Sequence, residues 1–362
     1  MSQAQAQNDP PPILAASVHD VRYFASIMRG INFSNRATLT ARETGLTIHV
    51  EEARTLLATA YIFAGMFDEY QYSPDVAAPP SQPATPRSTA LSAADVPETI
   101  FEVPLNTLVE CLNIFGTAGP PPNPNSTKAR TAKLKSAEDE EGGGGEDRNQ
   151  RGPLDKFIAS ASGDAKSTAM RMTFAGLGHP LSLHIVEESG GPTAICELST
   201  LDPETVLELP FDSDATVLKI ILNPSWLRDA LSELDPSCDK ITFIGNPPPV
   251  SAAPQRASAN RTPKPSFSIK AAGTFGSSEM DYPNDKEVIE SIECSATVSF
   301  TYRFSHLSRV LRALYSCTKT SLRIDDEGLL SMQFLMPTGK IQPMGTSNAF
   351  IEFRCLSLDE DM

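Results

Sequence analysis

The sequence predicts an α+β protein made by duplication, with antiparallel sheets carrying two helices on one face of each half. Three observations lead there. Apolar residues recur at helical spacing in four short segments, and between them the pattern switches to period two. The succession of helix, strand, glycine turn and strand then occurs near both ends of the chain.

The first helical segment sets Val21, Phe24, Met28 and Ile31 on one face. Ala41 to Glu51 follows as a hairpin, turning at Glu43-Thr44-Gly45 into the alternating run Leu46-Thr47-Ile48-His49-Val50. Behind Pro104, the set Leu105, Leu108, Val109 and Leu112 marks the second helix. A hairpin at Glu187 to Pro192 joins Leu181–Val186 to Thr193–Leu198. The third helix opens near Pro224 and carries Trp226, Leu227, Ala230, Leu231 and Leu234; the fourth carries Leu307, Val310, Leu311 and Leu314. Leu322-Arg323-Ile324 then leads through Asp325-Asp326-Glu327-Gly328 into Leu329 to Phe334. Gly45 and Gly328 suit turns that need positive φ. Pro104 and Pro224 sit where a missing N–H costs little. Each helix is only about three turns long and needs a sheet to pack against.

Composition bounds the rest. The 362 residues suit two domains of moderate size. A net charge of −15 argues against uniform coating of nucleic acid, which needs clustered cations, but leaves room for a local basic groove. Segments of about 73–97, 117–166 and 246–265 are rich in Pro, Gly, Ser or charge and poor in large apolar residues. With residues 1–12 they are expected to be disordered. Gly142 to Gly145 lacks the preceding strand and the G-K-[ST] ending of a phosphate loop. Cys111, Cys196, Cys238, Cys294, Cys317 and Cys355 are scattered singly, which fits reduced thiols rather than a zinc module. The N-terminus lacks the pattern of a signal peptide, and no run approaches a membrane span, so the expectation is a soluble intracellular protein.

Catalytic chemistry is not evident. His19, His49, His179, His184 and His306 form no ligand pair or nucleophile motif. Asp325, Asp326 and Glu327 fall at a hairpin turn, and Asp359, Glu360 and Asp361 in an acidic tail, where exposed carboxylates are ordinary. The helices say more. Arg22 and Arg29 share a face two turns apart, Arg309 and Arg312 share a face of the fourth helix, and Arg228 projects from the third beside Asp229 and Glu233. The second helix departs from this, with Asn106 and Glu110.

These features together resemble a PCNA-like DNA sliding clamp, and within that superfamily the Rad-one subunits of the nine-one-one DNA-damage checkpoint clamp. Runs carrying the likeness include Val18-His19-Asp20-Val21-Arg22, Ile31-Asn32-Phe33, Ala64-Gly65-Met66-Phe67-Asp68-Glu69-Tyr70 and Leu108 to Gly116. Gly176 to Leu181, Leu231 to Asp235, Gly273 to Ser278, Asp281-Tyr282-Pro283 and Gly328 to Phe334 continue it in order. The resemblance implies a non-catalytic, cofactor-free nuclear subunit of a heterotrimeric ring. The ring would hold Rad-nine-type and Hus-one-type neighbours, be placed on DNA by a checkpoint clamp loader, and recruit signalling and repair proteins. It implies a first clamp domain at 13–200, an interdomain connector at 201–214, a second domain at 215–355 and a tail at 356–362. Arg22, Arg29, Arg228, Arg309 and Arg312 would then face DNA in the channel. Glu204, Glu208, Asp212 and Asp214 would keep the connector exposed, with Val206, Leu207 and Leu209 lining its partner-binding side. Two alternatives are a 3′-to-5′ DNA exonuclease, which some members of this family have been proposed to be and which needs carboxylates converging on two metal ions, and a clamp-fold scaffold without DNA contact.

Overall fold

The computed structural model describes residues 11–74, 97–116, 118–119, 168–187, 191–247, 265–274, 276–339 and 349–358. The three predicted inserts, Gly142 to Gly145 and the acidic run Asp359 to Asp361 lie almost wholly outside these residues. Their borders differ from the expectation. Ala118 is fully buried, Ser73 donates its backbone N–H to Ile13, and Asn246 donates to the carbonyls of Pro265 and Ser266. The ordered structure therefore runs a few residues into each predicted insert.

The first half comprises β1 (Leu14–Val18), α1 (Val21–Gly30), β2 (Arg36–Arg42), β3 (Gly45–Glu52), β4 (Leu56–Phe63), β5 (Glu69–Tyr72), β6 (Thr99–Pro104), α2 (Leu105–Leu112), β7 (Thr168–Phe174), β8 (Leu181–Glu187) and β9 (Thr193–Leu198). The second repeats that order as β10 (Thr216–Leu222), α3 (Pro224–Glu233), β11 (Cys238–Gly245), β12 (Phe267–Gly273), β13 (Gly276–Tyr282), β14 (Ile289–Cys294), β15 (Val298–Arg303), α4 (Phe304–Leu314), β16 (Lys319–Asp325), β17 (Leu330–Met336) and β18 (Ala349–Cys355). The two glycine hairpins, β2–β3 after α1 and β16–β17 after α4, occupy the same place in a βαβββ unit that recurs within and between halves. At Gly45 the φ is 141°, and a Cβ would come within 2.2 Å of the Ile62 carbonyl oxygen, so a side chain is excluded there.

Every strand pairing is antiparallel. One sheet runs β5-β1-β7-β8-β9 and a second runs β13-β12-β11-β15. Their counterparts, β14-β10-β16-β17-β18 and β4-β3-β2-β6, fuse into one nine-stranded sheet where β18 pairs with β4. The halves are thus joined by a continuous hydrogen-bonded ladder. The helices form a row in the order α2, α1, α4, α3, and their apolar faces enter one core with inward side chains of all three sheets. At the middle of the row the helices approach closely. A Cβ on Gly30 would lie 3.5 Å from Ala313 and 2.7 Å from the Ile351 side chain.

Local chemistry sets the helix starts. Asp20 caps α1 by accepting from the Arg22 backbone N–H, and Asn223 caps α3 by accepting from Ser225, with Pro224 in the first turn.

Candidate nucleic-acid interface

The helix row gathers five arginines and three carboxylates, Glu110, Asp229 and Glu233, in a chain whose net charge is −15. Within the helices themselves the arginines outnumber the carboxylates, while Asp20 and Glu52, which flank them, bond to two of the five. The arginines are not equivalent.

Arg22 turns back on the cap of its own helix. Its Nε lies 2.9 and 3.0 Å from the two Asp20 carboxylate oxygens and its terminal nitrogen 2.7 Å from Oδ2, with the side chain only 18% exposed. The hydrogen bond to Asp20 raises the guanidinium's affinity for its proton, outweighing the cost of burial. Arg228 donates to Asp229 at 2.9 Å and lies over the ring of Tyr315, 5.6 Å from its centre.

Arg309 and Arg312 reach across the junction between the halves. Arg309 makes a two-point pair with Glu52 at the end of β3, at 3.0 and 2.9 Å. Arg312 donates to the carbonyl of Asn32, just beyond α1. Both remain exposed, but each is held by the other half. Arg29 is half-buried and has no acidic partner within ion-pair distance among the described residues; burial lowers its proton affinity. Sequence spacing identifies helical position. It does not reveal that Glu52 and Asn32, distant in the chain, capture the arginines of α4.

The connector is also placed differently from the expectation. Leu207 and Leu209 are buried, packing with Leu57, Leu329 and the partly buried Phe211; Val206 is half-buried. The leucines face the sheet, whereas the expectation set them on the connector's partner-binding side. Apolar burial explains their direction, and polar bonds fix it. Leu201 exchanges two backbone hydrogen bonds with Glu102, the Leu207 N–H donates to Glu51, and Arg354 donates to the Leu209 carbonyl. Arg323 lies 4.7 Å from the centre of the Phe211 ring. Behind them Glu352 is buried and accepts from Ser331, Arg323 and Arg354 at 2.6, 3.2 and 2.9 Å. Glu352, Arg323 and Arg354 position the connector, which sequence reasoning missed; the only signal was the charged pair Glu352 and Arg354 inside the apolar run Phe350 to Cys355.

The carboxylates considered for metal binding are separately used. Asp325 is buried and accepts from the Leu329 N–H at 2.8 Å, while Asp326 and Glu327 are exposed on the turn. Among the described residues no group of three His, Cys, Asp or Glu side chains is arranged to hold a metal ion. Burial pushes the proton affinity of His49 down to about 4, so it is neutral at pH 7, and also lowers that of His306.

The chain is similar to several known proteins. It is 27% identical to the human (Homo sapiens) cell cycle checkpoint protein RAD1 over 99% of this chain and 97% of that protein. It is 28% identical to the DNA repair exonuclease REC1 of Mycosarcoma maydis, covering 96% of each. The proliferating cellular nuclear antigen of Entamoeba histolytica superposes with a TM-score of 0.58 at 11% identity, covering 96% of this chain and all of that one, so the fold is PCNA-like. A family model described as "Repair protein Rad1/Rec1/Rad17" matches residues 13–336, and the chain belongs to that family.

Proposed function

We propose that this protein is a non-catalytic subunit of a heterotrimeric checkpoint clamp that encircles DNA at sites of damage and there recruits signalling and repair proteins. One observation carries the reading: a duplicated chain sets its four helices in one row, where five arginines outnumber three carboxylates, on an otherwise acidic protein. The names of the relatives, a cell cycle checkpoint protein and a DNA damage checkpoint control protein, support the same process and with it a nuclear place of action. Strands β9 and β13, each at an end of its sheet with one edge unpaired among the described residues, give neighbouring subunits an edge to pair with. In such a ring the helix row lines the channel, and its cations approach phosphates without reading bases.

The test is retention on DNA. The chain, assembled with its Rad-nine-type and Hus-one-type neighbours by the clamp loader, should stay on closed circular DNA and slip from the same DNA once linearised. Arg29→Ala should weaken retention alike on all sequences and shallow the salt dependence by about one unit per lost phosphate contact. Equal retention on circular and linear DNA would sink the encircling reading.

The name of the Mycosarcoma relative, a DNA repair exonuclease, favours a second reading, a DNA exonuclease, for which the family resemblance suggests the 3′-to-5′ direction. Magnesium-dependent loss of 3′ nucleotides by the purified chain, abolished by replacing a carboxylate of this chain, would establish it. Degradation that is unaffected by any such replacement would mark a contaminant.

A further inference from the structure

The outer face of the sheet β13-β12-β11-β15 holds two cations that their surroundings leave unbalanced. Lys240 of β11 and Arg303 of β15 stand directly opposite each other, and Thr242 and Thr301 form the next outward pair, their hydroxyls 2.9 Å apart. Lys270 of β12 lies opposite Thr242 and is paired with Glu279 at 2.9 Å. Lys240 and Arg303 are both exposed, and neither has an ion-pair partner among the described residues. Like charges at directly opposed positions repel each other across a sheet. The pair therefore calls for an anion from elsewhere.

The chain itself brings one. Past β18 its backbone touches both halves: the Leu356 N–H donates to the Thr55 carbonyl at 3.2 Å and the Leu358 N–H to the Thr301 carbonyl at 2.7 Å. Leu358 lies beside the two threonines, and with Lys240 and Lys270 it lines one hollow on the face of the sheet. Leu356 and Leu358 also line a larger groove of about 940 Å³, walled by Leu234 and Pro236 beyond α3, by Phe304 and Leu311 of α4, and by the Lys240 and Arg303 pair. One carboxylate, Asp239, lines these two hollows, against three cations. The residues that follow Leu358 in the sequence are Asp359, Glu360 and Asp361. Arg303 is two residues along β15 from Thr301, with Lys240 beside it. Both side chains come within the roughly 10 Å that three extended residues span.

We propose that Asp359, Glu360 and Asp361 fold back onto Lys240 and Arg303, so that this chain's own acidic tail covers the groove beside α3 and α4. Exposed ion pairs are weak singly. The tether at Leu358 makes the contact intramolecular, so a few such pairs hold the tail without the entropy loss of joining two molecules. Raised salt screens the pairs and frees the tail, which opens the groove.

The experiment treats the full chain with a water-soluble carbodiimide, which joins carboxylates to amines in contact with them, and identifies the linked peptides by mass spectrometry. Wild type at low salt should give amide links from Lys240 to Asp359, Glu360 or Asp361, and raised salt should reduce them at least about fivefold. In an equal mixture of light and heavy-isotope chains, each link should join peptides of one isotope. A second measurement follows acetylation of Lys240. In the Asp359→Asn, Glu360→Gln, Asp361→Asn variant its rate should rise at least about threefold, while Lys219, paired with Glu293, keeps its own. Tail links to other lysines but none to Lys240 would overturn the proposal. So would mixed-isotope links at Lys240, which would mean that the tail serves a second copy, or acetylation of Lys240 that the neutralised tail leaves unchanged. Neither DNA nor a partner subunit enters these measurements, so their outcome is separate from that of the retention test.

Discussion

Asp20 caps α1 and also neutralises Arg22, so removing it should expose two losses at once. We expect Asp20→Ala to lower stability by about 1–3 kcal/mol, from the cap and from the half-buried guanidinium left without its partner. Arg228→Ala, at a more exposed pair, should cost within about 0.5 kcal/mol. Denaturant titration of the two variants checks this, and equal losses would contradict it. The five arginines and their helical spacing were legible in the sequence. The partners were not, because an ion pair such as Arg309 with Glu52 depends on which strand end the fold brings to the helix. His49 gives a second expectation at this scale. Its folded value of about 4 lies below the ordinary 6.5, so the unfolded chain takes up the proton first as pH falls. The stability tied to neutral His49 is complete above about pH 6.5 and is lost between there and about pH 4, by about 2–3 kcal/mol. Compared at pH 7 and pH 4.5, His49→Gln should lose less stability than wild type; parallel losses would exclude His49 as the cause.

The connector shows how an element is positioned by residues outside it. Its leucines supply burial, but its path is held by Arg354 at the Leu209 carbonyl and Arg323 at the Phe211 ring, and Glu352 holds both arginines. Glu352→Ala should cost about 3–5 kcal/mol, because two largely buried guanidinium groups lose their anion. It should also speed proteolysis within residues 201–214. Glu352→Gln keeps an acceptor for Ser331 and should fall between the two. Cleavage unchanged in both variants would show that the connector does not depend on this network. Helix existence and the hairpins around Gly45 and Gly328 were readable from periodicity and turn chemistry. The inward direction of Leu207 and Leu209 was not, since a segment without a regular period has no face to predict.

At the scale of the molecule, the halves meet through a strand ladder, a close helix approach at Gly30 and two arginine bonds. The Arg309→Ala, Arg312→Ala double variant should therefore lower stability by about 0.5–2 kcal/mol, and Glu52→Ala should reproduce the share due to Arg309. Thermal melts of the single and combined variants test this. Additive losses from Glu52→Ala and Arg309→Ala would mean that the pair contributes nothing. The duplication itself was visible in the sequence as a recurring helix-hairpin unit. The fused nine-stranded sheet was not, because pairing between strands nearly a chain length apart leaves no local signature. That sheet has a consequence for how the protein is made. Among the described residues, the edge of β4, from the apolar run Leu56 to Phe63, finds its partner in β18, the last of the strands. On the ribosome, the first half emerges with that edge bare and must wait until β18 has been made before it is covered. The interval between the two events is when a nascent chain of this protein is most exposed to aggregation.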